Sequence, residues 1–278
     1  MSTTREQQRK WIDMALSGDV VAFRQGVISA GGDWARFGIK LADWLEDIDQ
    51  LPPFKVFGLT GNVKLPFMTF STLPDYTCPG AGSCLYADDA NNGKKELCYS
   101  FKAWRFPAAF FRQIQNTILI RRRKRVIEKI WMSLPTNRSV RLYVDGDIDS
   151  QATLRFWMRV LSRRPDLAVY GYSKSWALFL DYEGAWPTNY LLNISSGSIY
   201  GDAVRAEMLA LPVVRGSFDM VPVDKNLAGK YSDPAYKAAI RSQAKGFLCP
   251  GRCGTCTKTV HACGSKRFDG VPILIGIH

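Results

Sequence analysis

Apolar residues change their spacing twice along this chain. Over residues 1–50, Trp11, Met14 and Leu16, and later Trp34, Phe37, Ile39, Leu41, Trp44 and Leu45, recur at roughly helical intervals, which predicts helices. Leu51-Pro-Pro53 closes this region, because proline lacks a donor N–H and disfavours helix in the residue before it. Segment 1–53 therefore reads as a helical cover over a later core.

Short apolar runs then begin to alternate with amphipathic stretches. Arg141-Leu-Tyr-Val144, Leu167–Tyr172, Tyr190–Ile194 and Phe218–Val223 read as strands. A long basic amphipathic helix is expected after Pro107, with Phe110, Ile114, Ile118, Val126, Ile130 and Trp131 on its apolar side. Ser150 stands where an N-cap would, ahead of a second helix over Thr153–Leu161. Such alternation predicts an α/β fold: a partial βα-barrel-like parallel sheet over 54–245, with the helical cover before it and a cysteine-rich segment, 246–278, packed on it. In parallel sheets, binding residues gather where strands end at their carboxyl edges. Four polar segments qualify: Asp145–Asp149, Ser173-Lys174-Ser175, Ser195-Ser196-Gly197-Ser198 and Asp224-Lys225.

At 278 residues and 46% hydrophobic, the chain can build a core without staples, so its seven cysteines need another explanation. Its start, MSTTREQQRKW, has charges but no apolar run, and no stretch reaches the roughly 18 apolar residues of a membrane span. A protein kept in the cytoplasm holds its thiols reduced, and clustered reduced thiols point to metal. Cys78, Cys84 and Cys98 follow a Gly- and Pro-rich loop with gaps of five and thirteen residues; Cys249, Cys253, Cys256 and Cys263 have gaps of three, two and six. Short gaps let two thiolates wrap one ion, and the neighbouring Pro79, Gly80, Gly82, Pro250, Gly251, Gly254 and Gly264 suit the turns. Thiolate sulfur suits an iron–sulfur cluster, here expected to be 4Fe-4S, or zinc as the alternative. The four C-terminal thiols could close a zinc site alone, with His261 as an occasional substitute for Cys263, whereas three N-terminal thiols leave a position open to a substrate or to a ligand from elsewhere.

Other constellations are weaker. Asp145, Asp147 and Asp149 alternate and could share one face to hold Mg²⁺, unless Asp149 and Ser150 cap the following helix and Gly146 serves a turn. Asp145, Asp147 and Lys174 are the catalytic candidates; Tyr99, Ser173, Ser195 and Ser196 are candidates for cofactor contact. Ser195–Ser198 could also offer backbone N–H groups to phosphate. The net charge of +12 favours anionic partners, nucleic acid above all, through Arg121–Arg125 and a second group of Arg252, Lys258, Lys266 and Arg267. Among eight tryptophans, Trp104, beside Lys102 and Arg105, is the candidate for base stacking. With His261 and His278 the only histidines, no Ser–His–Asp hydrolase is credible, and neither a P-loop nor a dinucleotide glycine fingerprint is present.

The ordered set Leu73-Pro, Cys78-Pro-Gly, Cys84, Cys98-Tyr99, Asn116, Val144-Asp-Gly-Asp147, Tyr172-Ser-Lys-Ser175 and Cys253-Gly-Thr-Cys256 resembles the gene-product-eighty-eight family of phage and plasmid proteins. That resemblance, from about Lys64 onward, implies a mobile-element protein acting in a bacterial cytoplasm. A remoter likeness is to radical S-adenosylmethionine enzymes, which also place three cysteines in a loop after the first strand of a partial βα barrel. Their cysteines are spaced by three and two residues, and here Asp88–Gly93 is inserted between Cys84 and Cys98. The expected function is a cytosolic iron–sulfur or metal-binding protein with a site at the strand carboxyl ends. The alternative is a non-enzymatic, zinc-stabilised protein that binds nucleic acid or host machinery.

Overall fold

A computed structural model describes residues 3–58, 67–89, 93–227, 229–251, 253, 256 and 261–277. Lys64, Arg252, Gly254, Thr255, Lys258, His278 and part of the Asp88–Gly93 insertion lie outside the described residues.

The N-terminal cover is three helices, α1 (Arg5–Ser17), α2 (Val20–Ala30) and α3 (Gly32–Glu46). Thr4 caps the first by accepting from Gln7 N, and Asp19 caps the second by accepting from Ala22 N. Their apolar faces meet α4 (Pro107–Arg122), where Trp11 lies within 6.5 Å, ring centre to ring centre, of Trp34, Phe110 and Phe111. Trp11, Phe23 and Leu41 thus share one apolar core with Phe110 and Phe111.

The predicted long helix is two. It breaks at Arg123, whose φ of −135° is not helical, and α5 (Lys124–Met132) resumes with Ile127 and Trp131 buried. The five consecutive basic residues, Arg121 to Arg125, fall on this break and cannot all turn outward from one continuous helix.

Three short strands, β1 (Met68–Thr69) and the hairpin pair β2 (Tyr86–Asp89) and β3 (Gly93–Glu96), precede α4 in sequence. The remaining elements are β4 (Ser139–Leu142), α6 (Gln151–Ser162), β5 (Ala168–Ser173), α7 (Trp176–Leu180), β6 (Tyr190–Ser195), α8 (Asp202–Leu209), β7 (Val214–Pro222), α9 (Pro234–Arg241), β8 (Phe247–Leu248) and β9 (Ile273–Ile277). All strands but the hairpin form one seven-stranded sheet in the order β1-β4-β5-β6-β7-β9-β8, every neighbouring pair parallel. From β1 to β7 the chain steps always toward the same edge, as it does in a βα barrel and does not in a doubly wound sheet. β9 then enters between β7 and β8.

Because side chains alternate along a strand, the sheet has two distinct faces. Val140, Leu142, Val169, Leu192 and Ile194 point into the large core with Phe70, Trp131 and Trp157. The opposite face carries Tyr170, Tyr172, Leu191 and Phe218 and is covered by the C-terminal segment through Cys249, Cys256, Ala262, Cys263 and Phe268. Ser150 caps α6 as expected, accepting from Thr153 N at 3.2 Å. No helix among the described residues is long and apolar enough to cross a membrane.

Trp104 is no stacking platform. It is fully buried, donates to Gln113 Oε1 at 2.9 Å and packs edge-on against Phe101 and Phe110. Lys102 and Arg105 flank it in sequence, but the short 3₁₀ helix Tyr99–Arg105 turns the indole inward and away from them.

Candidate functional site

Three of the four polar segments meet at the carboxyl edge of the sheet. β4 ends in a turn that needs Gly146, at φ +74° and so close to Thr72 and Thr77 that a Cβ would fall 2.1 Å from Thr72 Oγ1. This turn drops Asp147 beneath the end of β5. Its Oδ2 accepts from Lys174 N at 2.7 Å and its Oδ1 from Ile148 N at 2.7 Å. Burial pushes the Asp147 carboxyl upward, and hydrogen bonds from Lys174 N and the Ser173 hydroxyl restrain the rise.

The loop of the first two cysteines lies across these ends. Ile199 N donates to Gly80 O at 3.0 Å, Gly82 N and Cys84 N both donate to Gly197 O, and Ala81 bridges to Ser198. Gly80 touches the Lys174–Ser175 backbone so closely that no side chain fits. Burial raises the Cys78 thiol well above its ordinary value, and the Asp147 carboxylate, Cys98 and Cys84 raise it further. Cys84 is also raised by burial; the Lys174 ammonium pulls the other way, and Cys98 adds to the rise. Cys78, Cys84 and Cys98 thus lie within electrostatic reach of one another, with Asp147 in reach of Cys78 and Cys84, and Lys174 in reach of Cys84.

The three aspartates do not converge as a Mg²⁺ site would require. Asp145 is half-buried and accepts from Gln113 Nε2 at 3.0 Å; desolvation raises its carboxyl while Ser100, Arg141, Ser71 and Arg112 hold it down. Asp149 accepts from Thr153 Oγ1 and from Arg121 Nε, each at 2.8 Å, and so serves the start of α6. The remaining candidates have local partners. Tyr99 donates to Val144 O at 2.6 Å, Ser173 Oγ accepts from Ser175 N, and Ser196 Oγ accepts from Met220 N at 2.9 Å. Ser195 is buried at the end of β6. Within the expected phosphate cradle, Ser196 N already donates to Phe218 O, and just beyond it Ile199 N and Tyr200 N donate to Gly80 O and Ser198 Oγ. The fourth polar segment stands apart, with Asp224 exposed and accepting from Asn226 N in its own turn.

The second cysteine group lies on the face of the sheet, not at its edge. Cys263 is buried, its thiol pushed up to about 12 by burial although a hydrogen bond from Tyr172 favours the thiolate. Cys249 is raised by burial, with Cys253 and Cys256 near it. Cys256 Sγ accepts from Ala262 N at 3.3 Å. All seven cysteines are free. Among the described residues, no three His, Cys, Asp or Glu side chains come together as a ligand set for a metal ion. Both groups nevertheless consist of thiols, the donor chemistry that suits a thiophilic metal.

Sequence reasoning overlooked what separates the two groups: Arg141, Tyr170 and Tyr172 on the face of the sheet. An arginine opening a run that otherwise reads as buried strand was the available signal. Asn116 proves to be a buried clamp, donating to Val56 O and Ser71 O at 3.1 and 3.0 Å.

The family described as Gene product 88 matches residues 49–268, a span that includes both cysteine groups. No curated protein and no solved structure matches the chain.

Proposed function

The chain belongs to the Gene product 88 family, and from that premise we propose that it is a cytoplasmic iron–sulfur protein of a phage or plasmid. Cys78, Cys84 and Cys98 would hold a 4Fe-4S cluster, one iron of which has no ligand among them. Such an iron can bind a substrate or cofactor directly. What supports the reading is one observation: the loop of Cys78 and Cys84 is clamped across the carboxyl ends of β5 and β6, beside Asp147 and Lys174, with Cys98 within electrostatic reach of both thiols. Asp147 and Lys174 would position a polar ligand there. The remoter likeness to radical S-adenosylmethionine enzymes rests on the same loop and on the one-directional strand order, and it stays a proposal. Anaerobic purification decides the metal. A brown protein with iron and acid-labile sulfide is expected; a colourless one with stoichiometric zinc would replace this reading with the zinc-stabilised binding protein. The four C-terminal thiols, able to close a tetrahedral zinc site, are what favour that second reading.

Nucleic acid remains a proposed partner, with a narrower surface than the sequence offered. Arg121 is held by Asp149 and by Tyr76 O, Arg122 by Leu16 O, and Arg123 by Asp49. Arg125, Lys266 and Arg267 are exposed. Replacing Arg121, Arg122 and Arg125 by Gln is therefore expected to lower the melting temperature and leave any salt-dependent DNA or RNA affinity within about twofold, since lone phosphate contacts contribute modestly. A titration against salt on both polymers checks it; a clearly flattened slope in the variant would restore the run as a phosphate-binding surface.

A further inference from the structure

We propose that Arg141, the Tyr170 hydroxyl and the His261 imidazole form an oxyanion site on the covered face of the sheet, between the two cysteine groups. Its ligand is a small molecule carrying a carboxylate or a phosphate.

The register of β4 with β5 sets Arg141 opposite Tyr170, so the two side chains rise together from the same face. The guanidinium carbon sits 4.6 Å from the Tyr172 ring centre, and the Tyr170 ring lies 4.6 Å from that of His261. Three buried polar atoms here lack a well-formed hydrogen bond: Arg141 Nε, Tyr170 Oη and His261 Nδ1, the Tyr170 hydroxyl having the Cys253 thiol within its reach. Buried polar groups almost always find partners, and a buried guanidinium without an anion is costly. Among the described residues Arg141 makes no ion pair; Asp145, within electrostatic reach of it, is instead hydrogen-bonded to Gln113. Tyr170 and arginine are donors, and imidazole becomes one in the appropriate tautomer. Three donors left without well-formed acceptors on one patch are the complement of an oxyanion. Arginine reads a carboxylate or phosphate with two parallel N–H bonds, which gives the site its class. Phe67 and Tyr172 wall it with aromatic rings, Phe67 lying 4.6 Å from the His261 ring. Asp145 and the thiolates of a loaded metal centre at Cys253 are the competing sources of negative charge. The proposal itself does not require the metal.

The test titrates the protein as purified with inorganic phosphate and, separately, acetate, following heat and melting temperature. Wild type is expected to bind one of them and melt higher in its presence; whichever binds more tightly names the ligand's headgroup. Arg141→Gln is expected to weaken binding roughly tenfold to a hundredfold, the range for a lost charge-assisted hydrogen bond, with Arg141→Lys between. Tyr170→Phe, which removes one hydroxyl and keeps the ring packing, is expected to weaken it severalfold and covers the case in which Arg141→Gln fails to fold. Equal affinity in wild type and both variants would assign binding to the basic surface and overturn the site, as would no binding of either anion by wild type. Metal is measured in the same samples. Loss of metal from Arg141→Gln in step with its affinity would make Arg141 the counter-charge of the thiolates and also overturn the proposal. Metal-free wild type that still binds the anion would sink only the iron–sulfur reading.

Discussion

Cys84→Ser is expected to lose the iron and colour of the centre at the strand ends while staying folded, whereas Cys253→Ser and Cys256→Ser lose soluble protein. The two groups are embedded differently. Cys84 sits on a loop held by backbone bonds, its N–H and that of Gly82 both donating to Gly197 O, so its sulfur carries little of the packing. The C-terminal segment, by contrast, is itself the cover over one face of the sheet, with Cys249, Cys256 and Cys263 packed beside Tyr170, Tyr172 and Phe218. If those thiols close on a metal, its binding energy is part of folding, on the order of 10 kcal/mol for a structural zinc, and removing one ligand forfeits much of it. Iron and zinc contents, soluble yield and melting temperature of the three variants check this. Equal loss of metal and of soluble protein in all three would mean one shared centre drawing ligands from both groups, and the division into three and four would fail.

How far the site could be read from the chain follows from where its signals lie. Apolar runs marked β4 through β7 because a parallel strand covered on both faces cannot carry many polar residues. Those strands then selected the polar segments at their ends, and three of the four do meet. The fourth fails because β7 runs on to Pro222 and opens into an exposed turn. Trp104 was misread for a related reason: charged neighbours along the chain say little about direction in a 3₁₀ turn. The break at Arg123 was hidden because apolar positions on both sides keep helical spacing. The insertion of β9 between β7 and β8 could not be seen at all, since pairing between distant strands leaves no local pattern. Most telling is Arg141. Its neighbours Val140 and Leu142 announce a buried strand, and one charged residue within such a run is the trace of a second covered face that meets something polar.

Gly80→Ala is expected to destroy the proposed iron–sulfur centre at the strand ends without touching any thiol. A Cβ on Gly80 would lie 1.8 Å from Lys174 O, 2.4 Å from Lys174 C and 2.7 Å from Ser175 Cα, all backbone atoms that no rotamer change can move. Nor can the loop retreat at small cost, because Gly80 O accepts from Ile199 N and Ala81 bridges Ser198 on its other side. Overpacking of this kind costs about 1–3 kcal/mol when the surroundings can adjust. Here the cheaper response is to release the loop from β5 and β6, which separates Cys78 and Cys84 from Asp147 and Lys174. The helices and the sheet do not depend on that contact, so far-UV circular dichroism should hold while the melting temperature falls by several degrees, about what 1–2 kcal/mol produces in a domain of this size. Iron content should fall with it. Gly201→Ala is the control, since a Cβ there meets nothing within 4 Å and its φ of −83° suits any residue. Gly80→Ala protein that keeps wild-type iron and melts with Gly201→Ala would show that the clamp across the strand ends does not hold the cysteines in place, and the site would have to be sought elsewhere on the loop.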